Sequence, residues 1–231
     1  MINYKSILII GASSDLALGF VSNLRKNKYI GTIIGTVRKI DIKYADFDRI
    51  HELDVTSENS IDCCLSEFNS YAFDAVFIFV SYQGDKLKTA FGSLERSEFN
   101  RVLDVNCTSI IIFLQKLFSL PNLVCKDLFL FSSRAGSIST RGKLSHHQVG
   151  GNMAYRASKA ALNMLAQCLS FDYRDKVRVF SIHPGWIRTK SSSQLATYSV
   201  EEFSDRFLKI LNNLDGLDGK FIDTFEMIID W

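Results

Sequence analysis

The chain has 231 residues and a net charge of +2, with 47% hydrophobic and 23% charged side chains. That composition is ordinary for a globular protein, and the length suits a single α/β domain over 1–231. The balanced charge, without any long basic run, gives nucleic-acid and membrane-surface binding no electrostatic support, and no apolar run is long enough to span a membrane. The first residues pass straight into a strand pattern without a signal peptide, so a cytoplasmic setting is expected. The five cysteines (63, 64, 107, 125 and 168) show neither CxxC spacing nor a paired framework, which fits a reducing compartment. Cys107, Cys125 and Cys168 lie among apolar neighbours and read as small core residues.

Short apolar runs alternate with amphipathic stretches. Residues 6–10 (SILII) read as a buried strand, and 16–27 as a helix with Leu16, Phe20 and Leu24 on one stripe. A second strand is predicted over 32–37, a helix over 57–68 and a third strand over 74–80. A long helix follows over 97–120, with Phe113, Leu114, Leu117 and Phe118 as its core stripe. Residues 127–132 form a fourth strand. Phe77, Phe79, Phe129 and Phe131 alternate along these strands and are expected in the core. A helix over 154–173, a fifth strand over 177–182, a helix over 200–211 and a short last strand over 220–223 complete the chain. Continuous apolar strands separated by helices predict a doubly wound, Rossmann-like parallel sheet covered on both faces, with ligands at the strands' carboxyl ends.

Tyr155 and Lys159 stand four apart on the 154–173 helix and project from one face. A phenol is a poor acid–base group at neutral pH, its ordinary pKa being about 10. A lysine ammonium ~4 Å away at an effective dielectric of ~20 favours the phenolate by about 4 kcal/mol. That is on the order of a thousandfold in acidity. Ser132 and Ser133, ending the fourth strand, offer a hydroxyl for a carbonyl oxygen. The set suits proton transfer in carbonyl–alcohol chemistry, and it supplies no hydride, so a cofactor is expected elsewhere.

The turn after the first strand, Gly11-Ala12-Ser13-Ser14-Asp15, opens a helix whose amides suit a pyrophosphate. It lacks the full GxGxxG fingerprint, and it equally fits a plain βα turn with a capping Ser or Asp. Asp15 is unwelcome beside a diphosphate unless its side chain turns away to cap or to hydrogen-bond a neighbouring loop. Arg38 and Lys39 follow the second strand where an acid would select NAD; an arginine there suits a 2′-phosphate, so NADP(H) is favoured over NAD(H). Asp54 and Val55 would reach the adenine, or Asp54 caps the region of Ser57.

Taken together, Gly11-Ala12-Ser13-Ser14, Asp54-Val55, Asp104-Val105-Asn106, Phe131-Ser132-Ser133, Tyr155 to Lys159 and His183-Pro184-Gly185-Trp186-Ile187-Arg188-Thr189 resemble the short-chain dehydrogenase/reductase family in order and interval. The wording is most similar to its sniffer-like and C-factor-like carbonyl reductase branch. The resemblance implies an NADPH-dependent oxidoreductase acting on a small carbonyl or alcohol. Tyr155 would be general acid/base, and Lys159 would lower its pKa and hold the nicotinamide ribose. Ser133 would bind the substrate oxygen. Asn106 would kink the long helix and serve a proton relay. Gly11, Ser13, Ser14, Leu16, Arg38, Asp54, Val55 and Gly84 would contact the cofactor, as would Pro184, Gly185, Ile187 and Thr189 at its nicotinamide and phosphate end. A homodimer or homotetramer is also implied.

The family's Asn-Asn-Ala-Gly is replaced by Ser81-Tyr82-Gln83-Gly84, whose bulk bears on cofactor affinity. Asp15 and Gln83 are expected to meet across the two loops. Residues 134–153 are longer than the family minimum and read as a substrate lid, a cover over the helix on which relatives dimerise, or a surface insertion; 189–199 is a second substrate loop. His146 and His147 lack a matched third ligand, so no metal is expected. Trp186 would wall the substrate pocket, and Trp231 would close an apolar seam. The altered 81–84 loop also admits a dinucleotide-binding regulatory or signalling protein with little turnover.

Overall fold

The computed structural model describes residues 2–40, 44–68, 71–121, 123–143, 151–190, 195–225 and 227–231. In chain order the elements are β1 (Ser6–Ile10), α1 (Asp15–Lys26), β2 (Thr32–Val37), β3 (Arg49–Glu52), α2 (Glu58–Ser66), β4 (Ala75–Ile78), α3 (Arg96–Leu103), a π-helical segment (Asp104–Thr108), α4 (Ser109–Phe118), β5 (Asp127–Phe131), a 3-10 turn (Arg134–Gly136), α5 (Met153–Asp172), β6 (Arg178–His183), α6 (Val200–Leu211), β7 (Phe221–Asp223) and β8 (Met227–Ile228). Among the described residues one sheet forms, ordered β3-β2-β1-β4-β5-β6-β7-β8. It is parallel except for β8, which pairs antiparallel to β7.

The expected doubly wound fold is present. Chain order reverses between β1 and β4, and that crevice at the carboxyl edge is where such sheets take ligands. Side chains alternate across the sheet. Ile7 and Ile9 join Phe20, Phe77, Phe129, Phe180, Phe203 and Phe207 under α1 and α6. Leu8 and Ile10 join Val76, Leu128, Phe113 and Leu162 under α2, α4 and α5. Phe129 is stacked between Phe77 (4.6 Å) and Phe180 (4.9 Å). These rings give the first face a stiff floor beneath the crevice.

Three differences from the sequence pattern have physical causes. β3 reads RIHE with none of its residues fully buried, so no apolar run marks it; its backbone pairing to β2 defines it. The long helix is α3, the π segment and α4 in succession, with Asn106 in the wide turn. Cys168 is exposed on α5, whereas Cys107 and Cys125 are buried as expected. The apolar neighbours of Cys168 in sequence belong to other faces of the helix.

Candidate active site

Gly11 adopts φ +82, and a Cβ there would lie 3.1 Å from the Val80 backbone nitrogen, so only glycine lets the β1 turn close against β4. Ser14 caps α1, its Oγ accepting from Ala17 N at 3.1 Å. The amides of Asp15 and Leu16 in the first turn of α1 have no intrahelical acceptor and stand ready for an anion. Asp15 turns its carboxylate away, accepting from Lys190 N at 2.7 Å. The expected meeting of Asp15 with Gln83 is therefore corrected: Lys190 satisfies the carboxylate.

Arg38 and Lys39 are exposed just beyond β2. Asp54 Oδ1 accepts from Thr56 Oγ1 (2.7 Å) and Thr56 N (3.0 Å). The Thr56 hydroxyl holds the Asp54 carboxyl below its ordinary range, with Arg38 adding to the effect. Ser57, not Asp54, caps α2. Arg38 and Asp54 thus share one corner of the crevice.

The 81–84 loop is more strongly held than its sequence suggests. Asn106 is fully buried; its Oδ1 accepts from Tyr82 N (2.6 Å), and its Nδ2 donates to Tyr82 O (2.7 Å) and Ser158 Oγ (2.9 Å). The Tyr82 hydroxyl donates to Glu98 Oε1 (2.8 Å), which also accepts from Asp85 N (2.9 Å), and Arg101 lies over the Tyr82 ring. The bulk of Tyr82 is thereby carried toward α3. Gly84 (φ +74) packs where a Cβ would meet Val102 at 2.6 Å.

Ser132 and Ser133 diverge at the end of β5. Ser132 Oγ donates to Asn163 Oδ1 at 2.5 Å and faces the α5 interior. Ser133 caps the 3-10 turn, and its hydroxyl, with that of Ser81, bears on the Tyr155 phenol. Gly136 lets the turn press on α5: a Cβ there would lie 2.6 Å from the Lys159 carbonyl carbon. Arg134 forms a buried ion pair with Asp223 at the end of β7. These two anchors were not singled out in the sequence, although the Arg-Ala-Gly after the serines is their signal.

Burial raises the Tyr155 phenol above its ordinary pKa, against lowering contributions from Ser133 and Ser81. Lys159 is buried, its Nζ donating to Phe131 O at 2.9 Å and lying 5.7 Å from the Tyr155 ring centre. Burial brings its pKa down to about 7. The close ammonium expected to depress the phenol is thus corrected: burial raises the phenol, and the amine is tethered to β5 with its own pKa lowered.

Beyond β6, Gly185 (φ +92) fits under the stacked rings of Tyr198 and Phe225, its Cβ position lying 2.8 Å from Phe225. Ile187 is buried and bridges to Tyr198, so the chain folds back on itself here. Pro184 and Thr189 are partly buried, and Trp186 is 42% exposed. The described part of the 134–153 segment leans on the end of the chain: Ser137 Oγ donates to Asp230 O (2.6 Å) and Ser139 N to Trp231 O (3.0 Å). Trp231 stacks on Phe221, closing the expected seam. His146, His147 and part of the 189–199 loop lie outside the described residues. Among the described residues no group of three or more His, Cys, Asp or Glu is placed to hold a metal, and no helix is long and apolar enough to cross a membrane.

The family model described as "Enoyl-(Acyl carrier protein) reductase" matches residues 34–209, and this stretch carries the serine, tyrosine and lysine just placed. The chain belongs to the short-chain dehydrogenase/reductase family. This short-chain dehydrogenase/reductase is 33% identical to C-signal of Myxococcus xanthus over 101 residues, which is 42% of the chain and 61% of C-signal. Two solved structures share its fold at 22% identity. Carbonyl reductase Sniffer of D. melanogaster superposes with a TM-score of 0.84 over 98% of this chain and 99% of that one. An NADPH-bound carbonyl reductase from chicken fatty liver gives 0.85 over 100% and 96%. The two structures agree with the doubly wound fold expected from the motifs.

Proposed function

We propose that this oxidoreductase is an NADPH-dependent carbonyl reductase. The observation that carries the reading is the convergence of Ser133, Ser81 and Tyr155 above a buried Lys159 at the carboxyl edge of the sheet. The bound state of NADPH in the chicken relative supports the same dinucleotide here, as do the free amides of Asp15 and Leu16 and the exposed Arg38. Gly11, Ser13, Ser14 and Leu16 would border its pyrophosphate. Arg38, Asp54 and Val55 would border its adenosine, and Gly84, Pro184, Gly185, Ile187 and Thr189 its other half. When bound, the dinucleotide supplies the hydride.

The chain's own residues handle the oxygen and the proton. Ser133 donates a hydrogen bond to the carbonyl oxygen, and Tyr155 delivers its phenolic proton to that oxygen. A phenol kept protonated by burial suits an acid in reduction. Lys159, poised near neutrality, replenishes that proton. The side chain of Asn106 is committed to Tyr82 and Ser158, so it steadies the loop, and any relay would run through the backbone of the π segment. The substrate is a small aldehyde or ketone, the setting cytoplasmic. Met164 and Phe171, exposed on α5, support assembly as a homodimer or homotetramer.

The test is NADPH oxidation with a panel of aldehydes and ketones. Tyr155→Phe is expected to cut kcat by about a hundredfold or more, and an unchanged rate would remove the proposed acid. The likeness to C-signal favours a second reading, a dinucleotide-binding regulator with little turnover. Tight NADPH binding without turnover across the panel would select it.

A further inference from the structure

At the amino edge of the sheet, opposite the crevice, a pocket of about 760 Å³ opens between the residues before β1, the turn into β2 and the carboxyl ends of α1 and α6. Ile2, Tyr4, Leu24, Tyr29 and Leu208 make its apolar wall, and Ile30 on its rim is 98% exposed. The volume lies within the range of small-ligand sites. Three lysines, Lys5, Lys28 and Lys209, also line it, and among the described residues none is within ion-pairing distance of a carboxylate. The carboxylate among its lining residues, Asp205, accepts from Asn23 Nδ2 at 2.7 Å.

The wall is built rather than loose. Arg25 Nη1 donates to Tyr29 O (3.1 Å) and Gly31 O (3.0 Å). A Cβ on Gly31 would fall 2.2 Å from the Tyr29 hydroxyl, which is buried without a hydrogen-bond partner. Burial pushes this phenol up to about 12, so it stays a neutral donor. The carboxylates that bear on it, Asp48 and Asp74, are paired with Arg25 and Lys126.

Lys28 sits at φ 60 in the turn that ends α1, with Lys28 N donating to Arg25 O and Tyr29 N to Leu24 O. Glycine is the unstrained residue at such a position. Helix dipoles account for a cation at the ends of α1 and α6. They account neither for Lys5, which precedes a strand, nor for a strained lysine where glycine is easier.

We propose that this pocket binds an amphipathic anion, an alkyl or acyl chain bearing a phosphate or carboxylate. The chain lies against Leu24, Tyr29 and Leu208, and the head lies among Lys5, Lys28 and Lys209. It is a second site, independent of the chemistry at Tyr155.

The test is calorimetric titration of the full chain with octyl phosphate at low salt, with octyl glucoside as the uncharged control. Saturable binding of one octyl phosphate per chain is expected, about tenfold or more tighter than the glucoside and weakened by added salt. Lys28→Gly relieves the left-handed strain, so its thermal midpoint should rise while octyl phosphate affinity falls about three- to tenfold. Lys209→Glu, on the exposed face of α6, should repeat the loss without touching the turn. Equal affinity for the two amphiphiles, or unchanged affinity in both lysine variants, overturns the proposal. Sedimentation with phosphatidylglycerol vesicles separates the sources: binding displaced by octyl phosphate supports the site with a lipid headgroup as its anion, and no binding supports it with a free amphiphile. Vesicle binding that saturating octyl phosphate leaves untouched overturns it.

Discussion

The two walls of the crevice are built in opposite ways. On the β5–α5 wall, Asn106, Ser158 and Lys159 are all but inaccessible, and each is fixed by named hydrogen bonds. On the β1–β3 wall, Ser13, Arg38 and Lys39 stand exposed, while packing sets the turn glycine and a hydrogen bond sets the Ser14 cap. Proton transfer depends on sub-ångström placement, and burial provides it. Affinity for a charged nucleotide depends on helix amides and surface cations, which tolerate exposure and respond to salt. Changes on the first wall should therefore alter rate and stability, and changes on the second should alter cofactor affinity.

The largest stability effect is expected at Lys159, whose pKa burial lowers from 10.5 to about 7. Between those values the unfolded chain holds a proton that the native chain has released, so stability rises with pH across that window. Below pH 7 both states are protonated and the cost of the buried charge is complete. Lys159→Met removes that cost, on the order of a few kcal/mol. Its thermal midpoint should exceed the wild-type value by more at pH 6 than at pH 9.5, and a gap independent of pH would contradict the buried-charge reading.

Next comes Asn106→Ala, which strands the N–H and C=O of Tyr82 in a closed loop. A loss of about 2–3 kcal/mol is expected in denaturant unfolding. Asn106→Asp should rescue little, since a carboxylate has no proton for Tyr82 O. On the exposed wall, Arg38→Glu should weaken NADPH binding about tenfold at low salt and leave NADH nearly unchanged. An equal loss for both would move cofactor selection elsewhere. Smallest of all, Tyr82→Phe forfeits one bond to Glu98 at a partly exposed edge, worth about 1 kcal/mol or less.

The same contrast explains what was legible in the sequence. Apolar strands such as Ser6–Ile10 and Asp127–Phe131 announce themselves because both faces are buried. Arg49–Glu52 carries no such pattern, and only its backbone pairing makes it a strand. Tyr155 and Lys159 were visible as a helical pair, and Ser133 by its place at a strand end. The electrostatics between them were not legible, because whether Lys159 is charged depends on how deeply Phe131 and α5 bury it. Likewise the partner of Asp15, Lys190, is 175 positions away in sequence, and no local spacing points to it.

The comparison is tested most directly by measuring kcat and NADPH affinity together for wild type, Tyr155→Phe and Arg38→Glu with one aldehyde that the wild type reduces. A crossed result is expected. Tyr155→Phe should lose about a hundredfold or more in kcat with NADPH affinity nearly unchanged. Arg38→Glu should lose about tenfold in NADPH affinity with kcat nearly unchanged at saturation. A Tyr155→Phe protein that reduces the aldehyde at the wild-type rate would contradict the assignment of Tyr155 as the acid.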